Sequence, residues 1–184
     1  GLLYTLQVTP SGEGTLSVIV PANACADGNG NGNIGGSASV TSDRAGPSVD
    51  ITANATVTNS VPVTFTFVYT ESVIGFTSAD IIVTNGSKGT FSGSGTTYSL
   101  LVTPSANGPV SIVVDQNTFT DAPGNGNEVG TAAVTYDTVG PIATVTPNGE
   151  IINTTPFTWT ITFNEATTGF DASDITITNG TKVT

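Results

Sequence analysis

The sequence repeats itself without a gap at a spacing of about 94 residues. Residues 4–11 (YTLQVTPS) recur as residues 98–105 (YSLLVTPS), and residues 75–86 (GFTSADIIVTNG) recur as residues 169–180 (GFDASDITITNG). A match of this length indicates that one folding unit of about 94 residues is used more than once. Any fold proposed for the chain must therefore be one that such a unit can adopt.

The repeat divides the chain into three parts. Residues 43–136 hold one complete unit, residues 1–42 match its second half, and residues 137–184 match its first half. Neither half has enough strands to close a core alone. The chain begins with Gly1 rather than Met, which favours a segment of a longer polypeptide. We expect each half to be completed by another copy of the chain or by further repeats of a longer array.

The spacing of apolar residues predicts strands. In residues 61–69 and 157–163 apolar side chains fall on every second position, which indicates strands with one buried face. Turn-forming Asn-Gly and Pro-Gly pairs separate such runs. About seven short strands in about 94 residues are typical of an immunoglobulin-like sandwich. The predicted fold class is all-β, with tandem immunoglobulin-like β-sandwich repeats, and we expect Trp159 and Cys25 in the core.

The composition excludes several classes of function. The chain has no His and one Cys, so His-dependent catalytic triads and an internal disulfide are excluded. With 14 Asp+Glu against 3 Lys+Arg, it cannot form a basic groove for nucleic acid. No apolar run is long enough to insert directly into a membrane. We expect that the chain is not an enzyme, because its aromatic residues fall on the inner faces of strands and no cleft is predicted.

Several segments resemble a known family. Residues 63–67, 71–76 and 80–86 look like the bacterial Ig-like tandem domains of giant surface adhesins. Residues 120–127 and 136–141 are similar to the late loop and linker of that family. The resemblance covers the whole chain. It implies an extracellular location at the cell surface and a structural role in a repetitive stalk, often stiffened by calcium, that supports adhesion.

The order of the strands independently predicts a cluster of carboxylates. If the first strand runs away from Asp43 and the second returns, Glu71 ends beside the junction with the preceding unit. The next strand begins there at Asp80, and the sixth strand returns there and leads to Asp121. These four carboxylates are expected to converge at one pole of the sandwich.

Their chemistry predicts a low-affinity calcium site. Calcium takes six to eight oxygen ligands, and Asn125 and Asn127 in the Gly-rich loop would add to the four carboxylates. The chain has too few basic residues to pair its acids. We expect a Kd of about 10⁻⁴ to 10⁻³ M, as in extracellular modules. The alternative that Asp and Asn serve here only as turn formers is open.

The following junction predicts a second set of ligands. Asp137, Glu165 and Asp174 repeat the first set, and the late loop would be the counterpart of the loop that contains Asp27. The expected partners are adjacent repeats or other copies of the same protein, joined head to tail.

Two functions are consistent with these features. The first is a calcium-stiffened structural segment, a stalk or filament of tandem domains. The alternative is an adhesive module that recognises a glycan, ice or a host protein through Thr-rich outer faces, such as the one with Thr64 and Thr66. An exposed aromatic cluster would favour the binding module, whereas buried aromatic residues would favour the spacer.

Overall fold

A computed structural model describes residues 2–153 and 155–183; Gly1, Thr154 and Thr184, which the repeat assigns to the half units, lie outside the described residues. Within the described residues, the regular elements are β-strands and two single 3₁₀ turns. No helix in this part of the chain is long and apolar enough to cross a membrane. The chain divides into one unit that ends at Asp137 and another that begins at Thr138.

Twelve strands make up the described sheets. In chain order they are β1 (Gly14–Val20), β2 (Gly36–Ser42), β3 (Val49–Ala53), β4 (Val57–Thr58), β5 (Val63–Tyr69), β6 (Ile81–Thr84), β7 (Gly86–Ser94), β8 (Thr97–Pro104), β9 (Gly108–Val114), β10 (Gly130–Tyr136), β11 (Ala143–Pro147) and β12 (Trp159–Phe163).

The complete repeat is a sandwich of two four-stranded sheets. One sheet has the order β3-β5-β8-β7 and the other the order β4-β10-β9-β6. The predicted first strand is split, because β3 pairs antiparallel with β5 in one sheet and β4 pairs parallel with β10 in the other. Counting β3 and β4 as one strand gives the seven strands expected of an immunoglobulin-like sandwich. The predicted fold class is confirmed.

The core lies between the two sheets of this sandwich. In β5, Val63, Phe65 and Phe67 are fully buried while Val68, on the other face of the strand, is 48% exposed, as the period-2 pattern predicts. The ring of Phe76 lies edge-on to Tyr69 at a centroid distance of 5.2 Å, and it is 4.8 Å from Phe119. Each fully buried aromatic side chain contributes about 1.5–3 kcal/mol through removal of apolar surface from water.

The two half units are hairpins that keep the registers of the complete sandwich. Gly14 lies opposite Ser42 in the first hairpin, as Gly108 lies opposite Tyr136 in the sandwich. In the second hairpin, β11 pairs with β12 in the register of β3 with β5. The sequence repeat is therefore also a repeat of strand pairing.

The prediction that Trp159 and Cys25 lie in the core is wrong for this structure. Trp159 is 57% exposed, and Cys25 is exposed with a free thiol. Their counterparts Phe65 and Phe119 are buried because the sandwich has a second sheet over them. Among the described residues, each half unit has a single two-stranded sheet.

One buried polar atom has no hydrogen-bond partner among the described residues, the phenol oxygen of Tyr69. Burial, followed by the nearby Tyr98 and Asp80, raises the pKa of Tyr69, so the phenol stays neutral. The repeat places Phe163 at the equivalent position. The repeat therefore has an aromatic ring without a hydroxyl group at this position.

We expect Tyr69→Phe to increase the free energy of unfolding by about 1 kcal/mol, because it removes a buried hydroxyl that forms no hydrogen bond. Urea unfolding followed by circular dichroism measures the effect. Tyr136→Phe is the control: Tyr136 is only partly buried, and this change is expected to alter stability by less than about 0.5 kcal/mol. A Tyr69→Phe variant less stable than wild type would contradict the assignment.

Candidate metal centre

Three carboxylates meet at one pole of the sandwich. Asp43 lies in the linker before β3, Glu71 follows β5, and Asp121 lies in the loop between β9 and β10. One oxygen of each side chain lies within 4.8 Å of the others. Asp43 and Glu71 are half-buried and Asp121 is buried. The fold therefore brings together three acids that are far apart in sequence.

The loop fixes the carboxylate of Asp121. Its Oδ1 accepts hydrogen bonds from the backbone N–H groups of Gly124 and Asn125, both at 2.7 Å, and its Oδ2 accepts one from Asn125 Nδ2 at 2.8 Å. Burial acts to raise the pKa of Asp121, but these hydrogen bonds together lower it. The group is therefore held ionised. Since each carboxylate oxygen has two lone pairs, Oδ2 can still accept a cation.

Glu71 experiences the opposite shift. Its pKa is raised, first by desolvation and then by the negative charges of Asp43, Asp121 and Glu13. At neutral pH the ionised cluster is thus under mutual repulsion. A bound cation would relieve that repulsion.

The linker is packed against the same loop. Asn125 Nδ2 donates to the carbonyl oxygen of Asp43 at 3.3 Å, and Glu128 N donates to the carbonyl oxygen of Pro47 at 2.9 Å. At Gly46 the approach is so close that an added Cβ would lie 1.8 Å from the carbonyl oxygen of Gly126. Glycine is therefore required at position 46, and the position of Asp43 depends on this contact.

Asp80 is not among the three clustered acids. Its Oδ2 accepts hydrogen bonds from Thr77 N at 2.8 Å and Thr77 Oγ1 at 2.9 Å, forming a capping box on the 3₁₀ turn Ser78–Asp80. The spacing of Thr77 and Asp80 is a capping-box signal that the sequence already contained. Asp174 has the same role in the second unit, where its Oδ2 accepts from Asp171 N at 2.9 Å.

The two predicted Asn ligands brace the loop. Asn125 directs its Nδ2 group toward Asp121 and Asp43. Asn127 is 2% exposed, and its Oδ1 accepts from the backbone N–H groups of Thr118 at 2.8 Å and Phe119 at 3.1 Å. The oxygen of Asn127 therefore points into the loop and offers nothing to the cluster.

The remaining predicted ligands lie elsewhere. In the first half unit, Asp27 is held as Asp121 is at two of three contacts: its Oδ1 accepts from Asn31 N at 2.8 Å and its Oδ2 accepts from Asn31 Nδ2 at 2.9 Å. The third donor differs, since Oδ1 accepts from Asn29 N at 2.9 Å. Asp137 belongs to the first unit, whereas Glu165 and Asp174 belong to the second. The second metal set stays a prediction.

Glu13 is a residue near the cluster that the sequence analysis missed. Its Oε2 accepts a hydrogen bond from Arg44 N at 2.9 Å, beside Asp43, and its charge contributes to the raised pKa of Glu71. The turn that precedes β1 contains this acid, at a position equivalent to Asn107. The sequence signal for Glu13 is that an acidic residue replaces Asn in a turn next to the junction between repeats.

The donor set favours a hard cation. All of the clustered groups are carboxylates, which suit calcium or magnesium better than metals that prefer nitrogen or sulfur. Because Asp121 Oδ1 already accepts two backbone N–H groups, the three carboxylates leave Asp121 Oδ2 and the oxygens of Asp43 and Glu71 for a cation. Calcium accepts irregular geometry more readily than magnesium does. The residues present thus fit a calcium ion.

Comparison with protein families gave one match, repeated along the chain. A model described as a bacterial Ig-like domain matches residues 43–138 and again residues 137–183. The first match covers the complete sandwich and the second covers the second half unit. Neither the curated proteins nor the solved structures gave a match.

Neutralising Glu71 is expected to stabilise the metal-free protein, because the negative charge of Glu71 is unfavourable in the folded state. In excess chelator at pH 7, Glu71→Gln should raise Tm by roughly 2–5 °C. The raised pKa means that the folded state binds a proton more tightly than the unfolded state. The destabilisation of the folded state by the Glu71 charge is therefore full above the raised pKa and shrinks as the pH falls. It vanishes below the ordinary pKa of a Glu side chain, about 4.3.

Thermal melts between pH 3.5 and 8 would measure this difference, with roughly half-unit steps. The matched control is Glu165→Gln, at the equivalent position of the second unit, where Glu165 is exposed. It should leave Tm unchanged within about 1 °C. A fall in Tm for Glu71→Gln in chelator at pH 7 would show that the Glu71 charge stabilises the pole.

Proposed function

The chain belongs to the bacterial Ig-like domain family, and from that premise we propose that it is a structural segment of a bacterial surface protein, a stalk of tandem sandwiches whose junctions are stiffened by calcium. The stalk would hold an adhesive region away from the cell. Its localisation would be extracellular, at the cell surface.

One observation carries this proposal, the position of the acidic cluster at a junction between repeats. Asp43 belongs to the linker, whereas Glu71 and Asp121 belong to the sandwich that follows it. A cation held by all three would tie the linker to that sandwich. Without a cation, the repulsion that adds to desolvation in raising the pKa of Glu71 would loosen the same contact.

Glu13 connects the acidic cluster with the preceding half unit. Its carboxylate accepts from Arg44 N while its charge acts on Glu71. Neutralisation of Asp43, Glu71 and Asp121 by calcium would lower the cost of holding Glu13 nearby. The cation would thus favour a fixed arrangement of the hairpin and the sandwich.

Within the complete sandwich, the placement of aromatic residues supports a spacer over a binding module. In the complete sandwich Phe65, Phe67, Tyr69, Phe76, Tyr98 and Phe119 are buried. A glycan-binding face needs exposed aromatic rings, and these rings face inward. The outer faces carry Thr side chains at ordinary outward positions of the strands. The prediction that the chain is not an enzyme stays a prediction.

Calcium is expected to stabilise the folded protein. With a Kd of about 10⁻⁴ to 10⁻³ M and about 10 mM calcium, mass action predicts about 1.5–3 kcal/mol, or a rise in Tm of roughly 6–20 °C. Differential scanning calorimetry in calcium, and again in excess chelator, measures this rise. Sodium chloride at the same ionic strength controls for simple screening of the acidic charge.

A matched pair of variants locates the effect. Asp43→Asn removes a clustered carboxylate and should abolish most of the rise with calcium, whereas Asp50→Asn removes an exposed carboxylate on β3 and should leave it intact. Glu71→Gln should reverse its effect between conditions, being stabilising in chelator and destabilising in calcium relative to wild type. Equal Tm values in calcium and in matched sodium chloride would rule out the metal site.

A further inference from the structure

We propose that residues 43–48, the linker strap, are held closed against the complete sandwich by packing and hydrogen bonds alone, so that the junction with the preceding hairpin is fixed even without a cation. The strap joins β2 to β3 and lies outside both strands. A short connection outside regular structure ordinarily lets neighbouring domains move. The inference goes beyond the calcium-stiffened spacer, because it concerns contacts that a cation does not supply.

The C-terminal end of the strap continues the pairing of β3 with β5. In that pair Val49 lies opposite Tyr69. Immediately before Val49, Ser48 N donates to Thr70 Oγ1 at 3.1 Å, and Thr70 N donates to the carbonyl oxygen of Ser48 at 3.0 Å. This end of the strap is therefore held as firmly as a residue of the sheet.

The middle of the strap packs against the segment that leads into β10. Pro47 is buried, and its carbonyl oxygen accepts a hydrogen bond from Glu128 N at 2.9 Å. Beside it, a Cβ added to Gly46 would lie 1.8 Å from the carbonyl oxygen of Gly126. The strap thus lies directly on the backbone of the late loop, with no room for a side chain between them.

The N-terminal end of the strap is bound from its first residue. β2 ends at Ser42, and the carbonyl oxygen of the next residue, Asp43, accepts from Asn125 Nδ2 at 3.3 Å. One residue further on, Arg44 N donates to Glu13 Oε2 at 2.9 Å, and Glu13 precedes β1 in the hairpin. The strap therefore contacts the sandwich and the hairpin at the same point.

The contacts between strap and sandwich do not depend on charge. On the side of the strap, each of these hydrogen bonds uses a backbone group: the carbonyl oxygens of Asp43, Pro47 and Ser48 and the N–H of Ser48. Ionisation of the acidic side chains leaves these groups unchanged. The repulsion among the acids thus acts on a strap that is already bound along its length, and we expect the strap to stay closed in chelator.

The sequence places a reporter in the strap. Arg44 is one of the three sites at which trypsin can cleave this chain, with Lys88 and Lys182. The Arg44 side chain is exposed, so cleavage after it depends on how often the backbone of the strap opens. Lys88 lies in β7, so cleavage after Lys88 reports opening of the sandwich instead.

Gly46→Ala is the variant that should open the strap. In excess chelator, wild type is expected to be cleaved after Arg44 at least roughly tenfold more slowly than this variant, because cleavage follows the population of the open form. Cleavage after Lys88 should be equally fast in both proteins. Mass spectrometry of the fragments over time measures the two rates separately.

The matched control for this variant is Gly140→Ala. Gly140 also precedes a proline, but a Cβ added there meets nothing within 4 Å, and neither Gly46 nor Gly140 has a positive φ. The control should therefore be cleaved after Arg44 at the wild-type rate.

A second variant tests the strap without a steric clash. Pro47→Ala removes the buried ring and is expected to speed cleavage after Arg44 by roughly threefold or more, whereas Pro141→Ala, at the exposed counterpart, should not. Hydrogen exchange of the Ser48 amide gives a measurement without protease. Exchange should be slow in wild type and fast in Gly46→Ala.

Two results would overturn the proposal: a wild-type strap that is cleaved in chelator as fast as the strap of Gly46→Ala, or a Ser48 amide that exchanges in wild type as fast as in that variant. Thermal melts in calcium separate the strap from the metal site. Slow cleavage in chelator with no calcium-induced rise in Tm would remove the metal site alone. A calcium-induced rise in Tm with fast cleavage in chelator would remove the closed strap alone.

Discussion

An apolar sheet face in water must be covered by another sheet, and most features of this molecule depend on that requirement. The complete repeat satisfies it with two four-stranded sheets whose inner residues are buried. The half units carry the same alternating residues and the same strand registers, yet their inner faces are exposed. Pairing within a hairpin is thus determined locally, whereas burial depends on strands from the other half of the repeat.

The same strand topology brings acidic side chains together at one pole of the sandwich. Asp43, Glu71 and Asp121 are near one another because successive strands alternate direction, so linker, strand end and late loop return to one end of the sandwich. The loop keeps Asp121 ionised through backbone hydrogen bonds, while Glu71 bears the unfavourable charge. The two groups therefore have opposite pKa shifts at a single site. A cation bound as proposed would relieve the unfavourable charge of Glu71 while Asp121 stays ionised.

Much of the fold could be predicted from the sequence, because the repeat and the period-2 alternation depend on positions along the chain. The convergence of the three acids followed from strand order alone. The predictions that were wrong concerned residues whose environment depends on local hydrogen bonds or on strands from elsewhere in the repeat. Asp80 has the residue type and place of a ligand, but the nearby Thr77 engages its carboxylate in a capping box. Trp159 has a core position in the pattern, but burial needs a second sheet that the pattern does not describe.

The split first strand has a mechanical consequence. β4 lies parallel to β10, with Thr135 N and Asp137 N donating to the carbonyl oxygens of Thr56 and Thr58, both at 2.9 Å. In the proposed stalk, tension would enter the sandwich before β3 and leave it after β10, so these parallel strands would be drawn past each other along their length. The hydrogen bonds between them are then loaded together in shear, and no single bond can open first as in a zipper. The short pairing of β4 with two residues of β10 would thus resist the pull directly.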